Sequence, residues 1–108
     1  MYIHKESACY LQWDNAKNLK NIEKHGVAFD EAATILFDSN ALEYYDQEHS
    51  DREDRFWIIG RSYDGRILLM IYTLRSQNHG KEIYYRIISA RIANEKERRP
   101  YETQEKKL

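Results

Sequence analysis

RFWIIGRSYDGRILLMIYTLR, residues 55–75, reads as two β-strands joined by a tight turn. Both flanks are rich in aromatic and aliphatic residues, and Asp64-Gly65 between them predicts a two-residue type I′ hairpin with strands at 55–62 and 66–75. In that register Arg61 faces Leu68, Ile59 faces Met70 and Trp57 faces Tyr72. One face then carries Phe56, Ile58, Gly60, Ile67, Leu69, Ile71 and Thr73, small or apolar throughout, and is assigned to the core. The other carries Arg55, Trp57, Ile59 and Arg61 across from Leu68, Met70 and Tyr72. A third strand at 82–91 alternates in the same way, and packing its more apolar set inward adds Tyr84 and Arg86 to the open face. His79, in the polar loop before it, reads as a solvated turn residue.

Upstream, WDNAKNLKNIEKHGV at 13–27 reads as a helix. Asp14 is its N-cap, and Ala16, Leu19 and Ile22 recur at helical spacing as the stripe expected to be buried. Gly26 takes the left-handed C′ position and Val27 the apolar contact after it. The opposite flank presents Lys17, Asn21 and Lys24, with His25 beside them in the last turn. Lys24 and His25 also sit where cations meet the negative end of the helix dipole, which alone would justify both. A second helix is expected at 29–37, a short strand at 42–45, and a solvated acidic loop at 46–54 that lacks the glycine and terminal glutamate of a calcium loop. Residues 10–13 read as a leading strand, and 1–9, including His4, as an extension. At the other end Asn94 and Glu97 form a capping box for a helix that Pro100 should shorten or kink, with 103–108 a frayed tail. The expected fold is α+β: an antiparallel sheet, two N-terminal helices on one face, and a short C-terminal helix.

The 108 residues, 42% of them hydrophobic, suffice for one core and one domain, 1–108. The lone Cys9 excludes an internal disulfide and a cysteine zinc site. The longest apolar run, 67–72, is too short to span a bilayer, and the first ten residues lack the apolar core of a signal peptide, so a cytoplasmic protein without membrane association is expected. The net charge of −1 hides an asymmetry: residues 1–54 hold 5 basic and 12 acidic side chains, residues 55–108 hold 12 and 6. The basic residues of the second half are mostly arginine, whose planar fork suits phosphate.

Four segments, W-D-x-x-K-N-x-x-N-x-x-K-H-G-V from Trp13, H-S-x-x-E-D-R from His49, I-I-G-R-S ending at Ser62 and R-I-I-S-A-R ending at Arg91, resemble in order and spacing the BrnT family of ribonuclease toxins from bacterial type II toxin–antitoxin systems. That family usually has a serine in the place of Ala28, which would cap the second helix together with Glu31. The resemblance implies a RelE-like fold, cleavage of RNA by attack of the ribose 2′-hydroxyl without metal or other cofactor, inhibition of translation, and neutralisation by a ribbon-helix-helix antitoxin (BrnA-like) from a neighbouring gene, with dimerisation in that complex left open. Arginines beside aromatic rings are what single-stranded RNA requires, because guanidinium binds phosphate while rings stack unpaired bases. The candidate catalytic residues are Arg61 and Arg86 for transition-state charge, and Lys24, His25 and His49 for proton transfer. Lys17, Trp57, Tyr72, Tyr84 and Arg91 are the candidate RNA contacts, with Arg91 equally able to pair with the C-terminal glutamates. The alternative is a non-enzymatic protein- or RNA-binding module using the same face, since tyrosine, tryptophan and arginine also make interface hot spots.

Overall fold

The computed structural model describes residues 3–4 and 9–107. In chain order they form β1 (Ile3–His4), β2 (Cys9–Gln12), α1 (Asn15–His25), α2 (Phe29–Ala33) continuing as a 3-10 turn (Thr34–Phe37), β3 (Leu42–Tyr45), β4 (Arg55–Arg61), β5 (Ile67–Gln77), β6 (Glu82–Ile92) and α3 (Glu95–Lys106). The strands lie in the order β1-β2-β6-β5-β4-β3. β2 runs parallel to β6 and every other pair is antiparallel. The sheet is therefore mixed rather than wholly antiparallel; the long connection between β2 and β6 leaves room for the crossover that parallel pairing needs. Of the expected N-terminal extension only the backbone of β1 and the start of β2 are described; the rest lies outside the described residues.

The 55–75 hairpin forms, but one residue out of the predicted register. The Ser62 N–H donates to the Arg66 carbonyl at 2.8 Å and the Gly65 N–H to the Ser62 carbonyl at 2.8 Å. Of residues 63–65 only Gly65 has a positive φ, 88°. This is a three-residue loop, a type I turn closed by a left-handed glycine; the two-residue type I′ alternative would force Asp64 into the left-handed region as well. Arg61 consequently pairs with Ile67, Ile59 with Leu69, Ile58 with Met70 and Phe56 with Tyr72. A slip of one residue exchanges the faces of β5. Leu68, Met70 and Tyr72 join Ile58 and Ile87 under Val27, Phe29, Ala32, Ala33 and Ile35 in one core cluster. Leu69 and Ile59 turn to the opposite side, where Ala93 and Tyr101 cover them. The sheet thus has α2 on one face and α3 on the other.

The helix α1 also inverts its expected packing. Leu19 is 66% exposed and Ile22 40%, whereas Asn21 is 7% exposed. The reason lies in β6, whose pairing with β2 stops at Arg86. Beyond that point Asn21 acts as the missing strand: its amide donates to the Ala90 carbonyl at 2.7 Å and its Oδ1 accepts from the Ala90 N–H at 3.2 Å. The same Nδ2 donates to the Val27 carbonyl at 2.8 Å. Buried backbone groups without such partners cost more than an exposed leucine does, so Asn21 faces inward while Lys17 and Lys24 of the same flank stay exposed. Asn18 serves α2 likewise, its Oδ1 accepting from the Phe29 N–H at 2.8 Å and supplying the cap that Ala28 lacks. Glu31, freed from capping, accepts from Ser62 at 2.7 Å and binds the Arg66 guanidinium through both oxygens.

The last helix is longer than Pro100 and the polar tail predict, and it takes in residues 103–106 that read as frayed. Asn94 and Glu97 form the expected capping box. Tyr101 is buried, its hydroxyl donating to Asp38 at 2.5 Å, and Glu105 pairs with Arg61. These tertiary anchors on either side offset the hydrogen bond that Pro100 removes.

Candidate nucleic-acid interface

With the register fixed, the face of the sheet that bears α3 can be followed row by row beyond the helix. Tyr44 pairs with Trp57 and Trp57 with Ile71, which pairs with Ser89. One row further, Arg55 pairs with Thr73, Thr73 with Arg86, and Arg86 with Gln12. In the next, Arg75 pairs with Tyr84 and Tyr84 with Tyr10. Ring contacts agree with this assignment: Tyr44 and Trp57 stack at 4.2 Å, Tyr10 and Tyr84 at 4.9 Å. Arg55 and Trp57 therefore neighbour each other along one face of β4, and Tyr84 and Arg86 along the same face of β6, side-chain types suited to phosphate binding and base stacking.

The arginines of this face fall into two sets. Arg61 is held by Glu105 at 3.0 and 2.9 Å and donates to the Gly65 carbonyl at 2.8 Å. Arg91 is held by Glu97 at 2.7 and 2.8 Å. In both pairs the carboxylate's hydrogen bonds raise the arginine pKa above its ordinary value. Both guanidinium forks are thus occupied by acids of α3. Among the described residues Arg55 and Arg75 form ion pairs only with Glu53, at 3.8 and 3.7 Å, beyond hydrogen-bonding distance. The Arg55 Nε is buried without a hydrogen-bond partner among the described residues. Arg86 makes no ion pair among them, although its charge reaches Asp14. That carboxyl is held below the usual range first by the Lys17 and Ala16 N–H groups and then by the charges of Lys17 and Arg86. Lys17, at the start of α1, therefore belongs to the same neighbourhood as Arg86.

The loop at 46–54 brings a histidine to this edge. Asp46 holds the His49 ring through Nδ1 at 2.9 Å. Ser50 donates to the Asp46 carbonyl at 2.5 Å and accepts from the Arg55 N–H at 3.0 Å, while Thr73 donates to the Asp54 carbonyl at 2.6 Å. The H-S-x-x-E-D-R segment is thereby pinned against the first turn of β4, and His49, Arg52, Glu53 and Arg55 line one open cleft of about 470 Å³. With Nδ1 against a carboxylate, Nε2 is the nitrogen available for proton transfer.

The remaining sequence candidates lie elsewhere. Tyr72, expected on the open face, is 2% exposed in the core and donates to Glu43, a consequence of the shifted register. Tyr84 does lie on the predicted face but is only 8% exposed, with Tyr10 stacked on it. Lys24 and His25 end α1, about 15 Å of helix away from Asp14 at a rise of ~1.5 Å per residue. They are not brought together with Arg86. Sequence reasoning passed over Tyr44 and Arg75, and gave Asp46 and Arg55, the two ends of a D-x-x-H-S-x-x-E-D-R signature, no role of their own. The parity of Arg55 and Arg75 about a three-residue loop, and the Asp-x-x-His spacing of Asp46 and His49, are the signals that point to them.

A mixed sheet that carries arginines, stacked rings and, at its edge, a carboxylate-held histidine on one face has side chains of the kinds that bind phosphate and stack bases. The chain belongs to the BrnT family, the ribonuclease toxins of type II toxin–antitoxin systems, whose family model matches residues 13–97. It is similar to the Brucella abortus ribonuclease toxin BrnT in its crystal structure, with a TM-score of 0.58 and 26% identity over 81% of this chain and 97% of that one. Comparison with curated proteins returns no match. No helix among the described residues is long and apolar enough to cross a membrane.

Proposed function

We propose that this chain is an endoribonuclease toxin of RelE-like type that cleaves single-stranded RNA, and so inhibits translation, by attack of a ribose 2′-hydroxyl on the adjacent phosphorus without a metal ion. The observation that carries the reading is the row Arg55–Thr73–Arg86, two arginines without a hydrogen-bonded acid among the described residues, on the part of the sheet that α3 leaves open. Their strands are two spacings apart, about 10 Å, so both forks can converge on one phosphate. Charge developing on the phosphorane would be met there by donors already in place. His49, oriented by Asp46, takes the proton-transfer role, and Lys17, Arg75, Trp57 and Tyr84 bind the strand on either side. Arg61 and Arg91 act through α3, as positioning residues. Lys24 and His25 end the helix and carry no step. A ribbon-helix-helix antitoxin would neutralise the toxin by covering the same face, for which its partly exposed arginines and rings provide the motive.

The test is cleavage of a defined RNA by the purified chain, alone and with excess chelator. Arg55→Ala and Arg86→Ala should each lower the rate by about a hundredfold or more, as loss of one transition-state donor does, with the thermal midpoint unchanged. Products should end in 2′,3′-cyclic phosphate. Full activity in both variants, or activity abolished by chelator, would overturn the reading.

A further inference from the structure

We propose that the cleft between α3 and the Tyr44–Trp57 pair is a subsite for a single unpaired nucleobase of the RNA. This rests on the ribonuclease reading and adds where the base next to the bound phosphate goes. The cleft, about 410 Å³, is lined from the sheet by Tyr44, Trp57 and Ile59 and from α3 by Lys96, Glu97 and Pro100.

Its chemistry selects a base over a phosphate. The lining holds no arginine, and its carboxylate, Glu97, is already neutralised by Arg91 at 2.7 and 2.8 Å. What remains is an aromatic wall, an aliphatic floor, the pyrrolidine ring of Pro100 opposite, one ammonium, and the amide of Asn94, whose Oδ1 is taken by the Glu97 N–H. A planar heterocycle fits such a slot, stacking on its face while Lys96 donates to an acceptor on its edge. The wall is built in advance: Tyr44 and Trp57 are direct cross-strand neighbours, stacked at 4.2 Å with 22° between their planes. Both are half-buried, so little side-chain freedom remains to be lost on binding. The α3 wall is equally fixed, because Arg91–Glu97 ties the helix down at one end of the cleft and the buried Tyr101 follows Pro100 at the other.

The cleft continues the phosphate row. Trp57 and Arg55 lie two residues apart on one face of β4, roughly 7 Å along the strand. A nucleotide with its phosphate on Arg55 and Arg86 therefore has its base within reach of Trp57. A protein side chain could fill the same cleft, but it would leave the adjacent arginines without anions, whereas one nucleotide satisfies both.

Trp57 reports on its own occupancy. The chain has two tryptophans, and Trp13 packs edge-on against Phe29 at the margin of the core, so Trp13→Phe leaves Trp57 as the single tryptophan, excited selectively at wavelengths the nine tyrosines do not absorb. The probes are a short 2′-O-methyl RNA, which cannot be cleaved, and an abasic oligonucleotide of the same charge, each titrated with anisotropy read in parallel. The 2′-O-methyl RNA should quench Trp57 on binding and the abasic strand should not. Tyr44→Ala should weaken binding of the base-bearing strand about tenfold, leave the abasic strand unaffected, and be rescued by Tyr44→Phe. Binding without quenching, with cleavage of ordinary RNA intact, overturns the subsite and leaves the ribonuclease standing. No cleavage and no binding overturns the reading beneath it. Quenching by the antitoxin alone, with none by RNA, reassigns the cleft to a protein side chain.

Discussion

Replacing Asn21 by alanine should do more damage than any truncation of the apolar residues on the same helix. Three hydrogen bonds disappear, to the Val27 and Ala90 carbonyls and from the Ala90 N–H. At a net contribution of ~1 kcal/mol each the loss is about 3 kcal/mol, and the buried groups left without partners raise it towards about 5 kcal/mol. A domain of this size has roughly 5–15 kcal/mol in total, so the variant should stand close to unfolding at body temperature. Leu19→Ala, at a side chain 66% exposed, should cost less than about 0.5 kcal/mol. Urea denaturation of the two variants separates them: with a slope of ~1–3 kcal/mol/M, Asn21→Ala should lower the midpoint by at least about 1 M and Leu19→Ala hardly at all. Amide exchange at Ala90 should accelerate selectively in the first variant. Equal midpoints for the two, or a larger drop for Leu19→Ala, would refute the claim that α1 docks through its amide and restore the amphipathic reading of the helix.

Two further outcomes follow from packing and charge. A β-carbon on Gly60 would stand 3.0 Å from the Ile35 Cβ and 3.2 Å from the Ala41 Cβ, so Gly60→Ala should lower stability by about 1–3 kcal/mol in thermal denaturation. Hydrogen bonds from Arg66 first, then Ser62, outweigh burial and hold the Glu31 carboxyl below its ordinary 4.5; its contribution is complete above pH 4.5 and lost as pH falls through the lower folded value, so Glu31→Gln should weaken the protein near neutrality and flatten the acid limb of its stability profile.

The boundaries of the long strands and the caps of α1 were legible in the sequence because they are set locally, by alternation, by Asp14 and by Gly26. What escaped was set at a distance. The stripe of Ala16, Leu19 and Ile22 has the right helical period, and nothing in residues 13–26 tells that the carbonyl and amide of Ala90 need Asn21. The turn at Asp64-Gly65 supports both loop lengths, and the choice between them decided whether Tyr72 or Ile71 shared a face with Trp57. Arg61 and Arg91 carry the right chemistry for phosphate, but Glu105 and Glu97, on a helix that Pro100 made look unreliable, bind them first. Arg55 and Arg86 stand apart from these pairs because no acid of α3 hydrogen-bonds to them.

The parallel pairing of Cys9–Gln12 with residues 83–86, together with the bond between Asn21 and Ala90, makes the fold close on itself across most of its length. The leading strand lacks its parallel partner, and the first helix its bond to Ala90, until the last long strand exists. Such non-local closure makes folding slow to begin and late in synthesis. During translation the nascent chain therefore holds Arg55 before it holds Arg86, and the anion row comes into being only when the final strand is added beside the hairpin. A site built across the first-made and last-made parts of a chain, as the one proposed above is, is incomplete in every unfinished copy.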